Sequence, residues 1–285
     1  MPQDWSAHAN RTLSDLQTNA RVVRRLSIHE RVRRDPRSTA ELFELALDEQ
    51  RDGYGPGSAH EALVVLPARA TAEVLERAIA LCRDRSAAHR IVGAQVLGEL
   101  GDPPRAFPDA CGEELLRLVA TDEDIEVVIA AIFPLGHLGH ASAEDSRIID
   151  LRTHPDDRVR HAVAFALCGC TSDESVKALL ELMSDPEPLA RDWATTAIGG
   201  TVELDGPEIR AALLQRATDV DEITRAEALH GLARRRDERV VPYLLAELAH
   251  PREKLHLVEA AASCYLGLPE DQKVERDFLL VALRY

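Results

Sequence analysis

The sequence has few aromatic residues, an odd number of cysteines and no long apolar run. Aromatic side chains make up only 4% of the 285 residues, and alanine and leucine dominate instead, as they do in tightly stacked helices. No apolar run approaches the roughly 18 residues that a membrane-spanning helix needs, and we expect no signal peptide at the start of the chain. The five scattered cysteines exclude a disulfide framework and favour a reducing cytoplasm.

The surplus of negative charge excludes further functions. The net charge is −15 at pH 7, which opposes binding to nucleic acid and to anionic membranes, because both need a basic face. Residues 1–40 carry eight arginines and four acidic residues, a net charge of +4, so the remaining residues carry −19. The segment Arg21–Arg37 is predicted to be either a capping helix with a solvated arginine face or a basic arm for an acidic partner or nucleic acid.

The stretch Asp157–Gly200 shows how the chain is organised. Ser172 is placed to cap a helix, and apolar residues at spacings of three and four run from Val176 to Met183, which predicts one apolar stripe. Pro186 ends this helix, because proline cannot continue the hydrogen-bond ladder. A second short helix then completes a unit of about thirty residues. Neither helix buries its stripe alone, so each unit needs the next, as in a stacked solenoid.

An alignment of the second helices supports the repeat. One apolar anchor per unit recurs at spacings of 31, 38, 32, 31, 34 and 32 residues, giving the column Leu66, Leu97, Leu135, Leu167, Ile198, Leu232 and Cys264. Four residues earlier stands a column of mostly small residues, which lets helices approach closely: Ala62, Gly93, Ala131, Val163, Ala194, Ala228 and Ala260. Seven residues before the anchor, four units carry arginine, namely Arg90, Arg160, Arg191 and Arg225. Aspartates recur in the preceding turns, so we expect arginine–aspartate pairs to tie adjacent repeats together.

Four segments of the chain share one pattern of apolar, small and charged residues: V-R-H-A-V-A-F-A-L, A-R-D-W-A-T-T-A-I-G, V-L-G-E-L-G-D and D-E-R-V-V-P-Y-L-L-A-E-L. These segments resemble HEAT repeats, and they look most like the short bacterial kind first described in phycobilin lyases. The resemblance covers roughly residues 38–283. It implies an all-α, right-handed α-solenoid of about seven two-helix repeats over residues 38–285, preceded by a cap or basic arm over residues 1–37. It also implies that the second helices line the concave side and that the recurring arginines are structural.

No motif in the sequence predicts catalysis. Phosphate-binding glycine loops, zinc-protease motifs and the nucleophile elbow are all missing from it, so we expect no catalytic residue, no metal and no cofactor. The pair Cys168 and Cys170 ends a helix and is assigned to packing. His137 and His140, with His154 or His161 nearby, are assigned to the surface, because no further ligand stands at metal-binding spacing.

The candidate site is a binding surface on the second helices. Positions six, five and two before each anchor are expected to face away from the small-residue column. They include Ile91, Val92, Gln95, Ile129, Ala130, Phe133, His161, Ala162, Phe165, Asp192, Trp193, Thr196, Ala226, Glu227 and His230. The three aromatic residues among them stand on consecutive repeats, as anchors of a protein-binding surface do. Alternatively, the phenylalanines fill the core between the helix layers.

The predicted function is therefore a non-enzymatic scaffold that binds a protein or peptide. Phe133, Phe165 and Trp193 are the predicted anchors, surrounded by the polar residues His161, Asp192, Glu227 and His230. The acidic body favours a basic partner, with no nucleic acid and no membrane. The alternative is an enzyme or enzyme subunit, either lyase-like or a HEAT-like DNA glycosylase that uses the Arg191-Asp192-Trp193 triplet.

Overall fold

The computed structural model describes residue 32 and residues 35–52, 61–101, 105–250, 255–269 and 274–284. Most of the predicted cap or arm, residues 1–37, lies outside them. The chain divides into two units, Met1–Cys111 and Gly112–Tyr285, which we describe separately. Throughout the described ranges every regular element is a helix and none is a strand, which confirms the predicted all-α fold class.

The first unit contains two packed helix pairs. Its helices are α1 (Thr39–Asp52), α2 (Glu61–Arg69), α3 (Ala72–Cys82) and α4 (Ala87–Gly98). α1 packs against α2, α3 packs against α4, and α4 also contacts α1 and α2. The anchors Leu66 and Leu97 are fully buried between them. Each pair thus covers the apolar stripe that its neighbour cannot cover alone.

The second unit continues the same pattern. α5 (Pro108–Thr121) spans the division between the units and is followed by α6 (Ile125–Leu138), α7 (His140–Ala143), α8 (Ser146–Ile149), α9 (Asp157–Ala166), α10 (Asp173–Leu182), α11 (Pro188–Thr196), α12 (Pro207–Arg216), α13 (Glu222–Arg234), α14 (Val241–Leu248), α15 (Leu255–Leu266) and α16 (Arg276–Ala282). Short 3-10 turns, Asp150–Thr153 and Glu238–Val240, precede α9 and α14.

The second helices of these pairs form one row in chain order. α6 packs against α9, α9 against α11, α11 against α13, and α13 against α15. The first helix of each pair lies against its own partner: α10 on α11, α12 on α13 and α14 on α15. Two layers of helices that stack pair upon pair are the α-solenoid arrangement that the repeat predicts.

The register predicted for the second helices is confirmed in every repeat except the last. Leu135, Leu167 and the other anchors as far as Leu232 are fully buried. In α15 the anchor Cys264 is only half-buried and the small residue Ala260 is exposed, while Val258, Ala261 and Ala262 are buried. The predicted register of this helix is therefore wrong. Three consecutive alanines have no difference in size by which a small-residue column is recognised.

Small residues permit very close helix contacts. A Cβ atom added at Gly93 would lie 2.7 Å from the Ala78 carbonyl oxygen. One added at Gly231 would lie 2.6 Å from the Cα atom of Gly199. Both distances are shorter than real Cβ contacts, so only glycine fits where α3 meets α4 and where α13 meets the turn after α11.

Two of the predicted arginine–aspartate pairs join adjacent repeats. The Arg160 guanidinium donates to both carboxylate oxygens of Asp185 at 2.7 and 2.9 Å. Arg191 does the same to Asp219 at 3.0 Å for both bonds. These bidentate pairs are the strong form of the interaction. Arg225 differs, because its acidic partner is Glu247, a residue of α14 rather than a turn aspartate, at 3.4 Å.

The same arginines also complete the turn before their own helix. In each case Nη1 donates to the carbonyl oxygens of the residues six and five positions earlier. Arg191, for example, donates to Asp185 at 2.9 Å and to Pro186 at 3.1 Å. One guanidinium therefore satisfies two carbonyls of its own turn and, in Arg160 and Arg191, one carboxylate of the next repeat. The structural role implied for these residues is confirmed.

Two local irregularities were not predicted. Residues 140–153 form α7, α8 and a 3-10 turn rather than one continuous helix, because the Asp145 carboxylate accepts the Arg147 amide proton at 2.9 Å and starts a new helix. α11 runs into a single π-helical turn, Ala197–Thr201. The carbonyls around this turn accept bonds from Arg234 and Arg235, and Arg235 bonds the Ile198 and Val202 carbonyls at 2.9 Å each.

Candidate functional site

Four aromatic side chains on α6, α9 and α11 form a continuous series of contacts, which we call the ring ladder: Phe133, His161, Phe165 and Trp193. The ring of Phe133 lies 5.4 Å from His161 and 5.1 Å from Phe165, between centroids. Phe165 then meets Trp193 edge-on at 4.8 Å. Such separations and tilted geometries are the favourable ones for aromatic pairs.

The ring ladder belongs neither to the core nor to the open surface. All four side chains are half-buried, so each ring is held by its neighbours and still reaches solvent. The alternative in which Phe133 and Phe165 fill the core is thus not what the structure shows. Gly136 makes room for this arrangement: a Cβ there would lie 3.3 Å from the Phe165 ring and 2.9 Å from the Ala166 Cα atom.

His137 extends the ring ladder at its α6 end. Its ring meets Phe165 edge-on at 5.3 Å, and its side chain is exposed. The sequence assigns this histidine to the surface, which agrees with its exposure, but its contact with Phe165 was not predicted. The signal that it shares a face with Phe133 was available, because residues four apart lie one above the other on a helix.

The predicted polar surround is also half-buried. Asp192, Glu227 and His230 join His161 at the same depth. Burial lowers the pKa of His161, and the negative charge of Glu187 opposes this shift. Burial raises the pKa of Glu227. The surround therefore consists of ionisable groups that are partly removed from water.

Asp192 is the most perturbed of these groups. Burial, together with the negative charges of Asp221, Glu227 and Asp219, raises the pKa of its carboxyl group to about 6. Its Oδ1 atom is fully buried and has no hydrogen-bond partner. A carboxylate in this position is costly to keep charged, because both desolvation and neighbouring charge disfavour ionisation.

Cys168 follows the end of α9 and contacts the turn after α11. The Cys168 sulfur lies 3.8 Å from the Thr201 hydroxyl oxygen. Burial raises the pKa of this thiol, the Thr201 contact opposes the shift, and the negative charge of Glu227 adds to it. Cys170 is buried, and burial with the nearby charge of Glu144 raises its pKa to about 12. Both thiols pack as weakly polar groups, as the sequence predicts.

Three of the fifteen positions expected on this face are buried instead. They are Val92, Ala162 and Ala226. The prediction is wrong at these positions, which stand five or six residues before the anchor and therefore lie at the two edges of the predicted face. All seven predicted site residues nevertheless lie at half-buried positions of the second unit.

The triplet Arg191-Asp192-Trp193 does not act as one cluster. Arg191 is buried and its guanidinium is paired with Asp219. Asp192 and Trp193, one and two residues further along the helix, are half-buried. Consecutive residues point about 100° apart on a helix, which separates the structural arginine from the carboxylate and the indole.

Metal and membrane sites are not found where the structure is described. No group of three histidine, cysteine, aspartate or glutamate side chains in those ranges is placed to hold a metal ion. The side chain of His140 lies outside the described residues. None of the helices seen is both long and apolar enough to cross a bilayer.

Comparison with known proteins agrees with this architecture. A family model described as HEAT repeats matches residues 146–207, the segment that contains α9, α10 and α11. Protein YibA of Escherichia coli K12 is 29% identical over 206 residues, which are 69% of this chain and 71% of that protein. The chain is thus similar to YibA over about two thirds of its length, and residues 146–207 are similar to HEAT repeats.

Solved structures show the same fold. The crystal structure of Escherichia coli YibA is similar with a TM-score of 0.67 at 23% identity, covering 91% of this chain and 95% of that one. A HEAT-like repeat protein from the archaeon Thermococcus onnurineus is similar with a TM-score of 0.52 at 16% identity, covering 86% and 99%. An engineered protein gives a TM-score of 0.53 at 16% identity, covering 90% and 82%. At these identities the likeness establishes the fold alone.

Proposed function

We propose that this chain is a non-enzymatic scaffold that binds a protein or peptide on the ring ladder and its polar surround. The observation that carries the proposal is the series of half-buried rings from three adjacent second helices. Rings held in place by one another lose little freedom when a partner covers them, so the area that they bury is converted efficiently into affinity. Aromatic anchors ringed by polar groups dominate the energetics of protein interfaces.

The scarcity of aromatic residues strengthens this assignment. The chain has only eleven Phe, Trp and Tyr side chains, and three of them stand in one contiguous series. If aromatic residues were used only to fill the core, they would be fully buried, as are Leu135 and Leu167 on the same helices. By the resemblance to HEAT repeats, this row of second helices forms the concave side.

The proposed partner is basic. The chain carries a net charge of −15, and the polar surround of the ring ladder includes two half-buried acidic side chains, Asp192 and Glu227. Complementary charge accelerates the encounter with a basic partner and rejects acidic ones. Nucleic acid and anionic membranes are not proposed as partners for the same reason. The five free thiols fit a role in the reducing cytoplasm.

The test is affinity capture from a lysate of the native source, with retained proteins identified by mass spectrometry. Wild type is compared with the double variant Phe165→Ser/Trp193→Ser, whose fold is verified by circular dichroism. The matched control is Val220→Ser/Phe278→Ser, which removes two apolar side chains that are 90% and 54% exposed elsewhere in the second unit. We expect a protein that wild type and the control retain and the double variant loses. Equal retention by all three proteins would contradict the proposal.

The alternative is an enzyme or enzyme subunit. A lyase role would follow from the resemblance to the short bacterial repeats of phycobilin lyases, which we propose only as a description of the repeat type. A DNA glycosylase would need free basic groups for phosphate, but Arg191 is already paired with Asp219. Retention of the purified protein on DNA at about 0.15 M salt, or a bound chromophore, would support an enzyme and oppose the scaffold.

A further inference from the structure

The carboxyl groups of Asp192 and Glu227 lack partners in the described part of the chain. Asp192 Oδ1 is buried with no hydrogen bond. Glu227 is half-buried on α13, and no donor or cation contacts its carboxylate among the described residues. Buried carboxylates are normally hydrogen-bonded or paired. Two neighbouring acidic groups without either therefore need an explanation.

The neighbouring structural pairs show how differently this chain treats its other acids. Asp185 and Asp219 are buried, and each receives two bonds from an arginine. Asp221 caps α13 through the Thr224 amide at 2.8 Å. The fold thus supplies donors to the acids that serve its stability. Asp192 and Glu227 stand apart from this pattern, on the face that carries the ring ladder.

The adjacent aromatic surface completes a site for a cation. Trp193 follows Asp192 directly on α11, is half-buried, and is fixed edge-on against Phe165 at 4.8 Å. Indole is the best aromatic face for a cation. Asp192 precedes Trp193 in the chain, and the negative charge of Glu227 reaches the Asp192 carboxyl group and raises its pKa. The local field therefore favours a positive group and opposes a negative one.

We propose that Asp192, Glu227 and Trp193 form a subsite for one arginine side chain of the partner, with the guanidinium donating to the two carboxylates beside the indole. This inference rests on the proposed function and names the chemistry by which the partner is recognised. A guanidinium is favoured over an ammonium, because it is planar, carries five donors and is more weakly hydrated. It therefore satisfies two half-buried carboxylates at a smaller desolvation cost than lysine.

The test uses blocked arginine, N-acetyl-arginine-N-methylamide, as the probe. In a Trp5→Phe background Trp193 is the only tryptophan of the chain, and its indole N–H gives one resonance in a proton–nitrogen correlation spectrum. Blocked arginine is titrated at constant ionic strength, beside blocked lysine and blocked citrulline, the neutral isostere of arginine. We expect a saturable shift with a dissociation constant on the order of 1–10 mM for blocked arginine. Citrulline and lysine are expected to bind at least about tenfold more weakly.

Variants separate recognition from general charge and from structure. Asp192→Asn/Glu227→Gln is expected to weaken blocked arginine at least about tenfold. Glu203→Gln/Glu208→Gln removes the same charge from two exposed positions and is expected to leave binding unchanged. Asp192→Asn alone is expected to keep or raise thermal stability. A merely structural carboxylate would lose stability on this change.

Three results would overturn the inference: no saturable shift, equal binding of citrulline, or unchanged binding in Asp192→Asn/Glu227→Gln. Its failure is distinguishable from failure of the proposed function. If the variant Phe165→Ser/Trp193→Ser no longer captures the partner protein and blocked arginine does not bind to the wild type, the proposed function is supported and the arginine subsite is refuted. If arginine binds and every captured protein is retained by that double variant, the scaffold proposal fails.

Discussion

Replacement of Arg191 by alanine tests the physical basis of the repeat stack. Arg191 and Asp219 are buried to the extent that only 9% and 3% of their side chains are exposed. Alanine removes both bonds to Asp219 and the bonds to the carbonyls of Asp185 and Pro186. Burial alone would raise the pKa of Asp219, but the bonds from the Arg191 guanidinium and the Asp221 amide, with the charges of Arg191 and Arg216, together hold that pKa below the usual value. In the variant the buried Asp219 carboxylate has two fewer hydrogen-bond donors and lacks the positive charge of Arg191.

The expected loss is about 3 kcal/mol, the lower end of the range for breaking a buried pair. The lower end applies because Arg216 still bonds Asp219 at 2.9 Å. For a unit of this size, about 3 kcal/mol lowers the melting temperature by roughly 6–12 °C. The assay is thermal and urea unfolding followed by circular dichroism at 222 nm.

Arg158→Ala is the matched control. Arg158 also pairs with an acid of a neighbouring repeat, Glu126, but the two side chains are 52% and 55% exposed. A pair this exposed contributes at most about 1 kcal/mol. Arg191→Lys keeps the positive charge but cannot form the bidentate bond to the carboxylate, so we expect an intermediate loss of stability. If Arg191→Ala were no more destabilising than Arg158→Ala, the arginine–aspartate pairs would not be what joins the repeats.

Other predictions follow from particular contacts. Asp192→Asn should stabilise the protein at pH 8 by ~1–2 kcal/mol, since the pKa of Asp192 is raised from 3.8 to about 6 and its ionisation opposes folding. Between pH 4 and pH 6 the folded wild type binds one more proton than the unfolded chain, so its free energy of unfolding falls as the pH rises through this range. The stability gained by Asp192→Asn should therefore vanish near pH 4. A gain that urea titrations find to be independent of pH would refute this. Gly231→Ala should cost ~1–3 kcal/mol, because the new Cβ meets the Gly199 backbone at 2.6 Å. Gly200→Ala, where nothing lies within 4 Å, should be nearly neutral in the same assay.

The repeat architecture was predictable because its signals are local and recur. Helix caps such as Ser172, the buried anchors and the arginine seven residues before them are each read from one unit and checked against the next. The partner of Arg225 was missed, because Glu247 lies on α14, beyond the turn in which aspartates recur.

The elements that escaped prediction depend on contacts between distant residues. The π-helical turn after α11 is accompanied by bonds from Arg234 and Arg235, more than thirty positions away in sequence. The sequence of Ala197–Thr201 alone does not predict a π-helical turn. The depth of Phe133 and Phe165 likewise depends on how closely α6 approaches α9 at Gly136. The choice between core and surface for these rings therefore required the structure.

The raised pKa of Asp192 also arises only in the assembled stack. In the sequence Asp192 is one acid among 49. Its environment is set by burial and by Asp219, Asp221 and Glu227, which all belong to the following repeat. The sequence predicts which face of α11 carries Asp192, but the raised pKa of its carboxyl group follows from packing between repeats.

Photo-crosslinking in cells of the native source tests the central claim most directly. A photo-reactive amino acid is placed at Thr196, which is half-buried on the second-helix row beside Trp193, or at Lys177, which is exposed on α10 in the other helix layer. The account predicts a crosslinked partner protein from position 196 that is lost in the Phe165→Ser/Trp193→Ser background, and none from position 177. A partner crosslinked from position 177 and not from position 196 would contradict it.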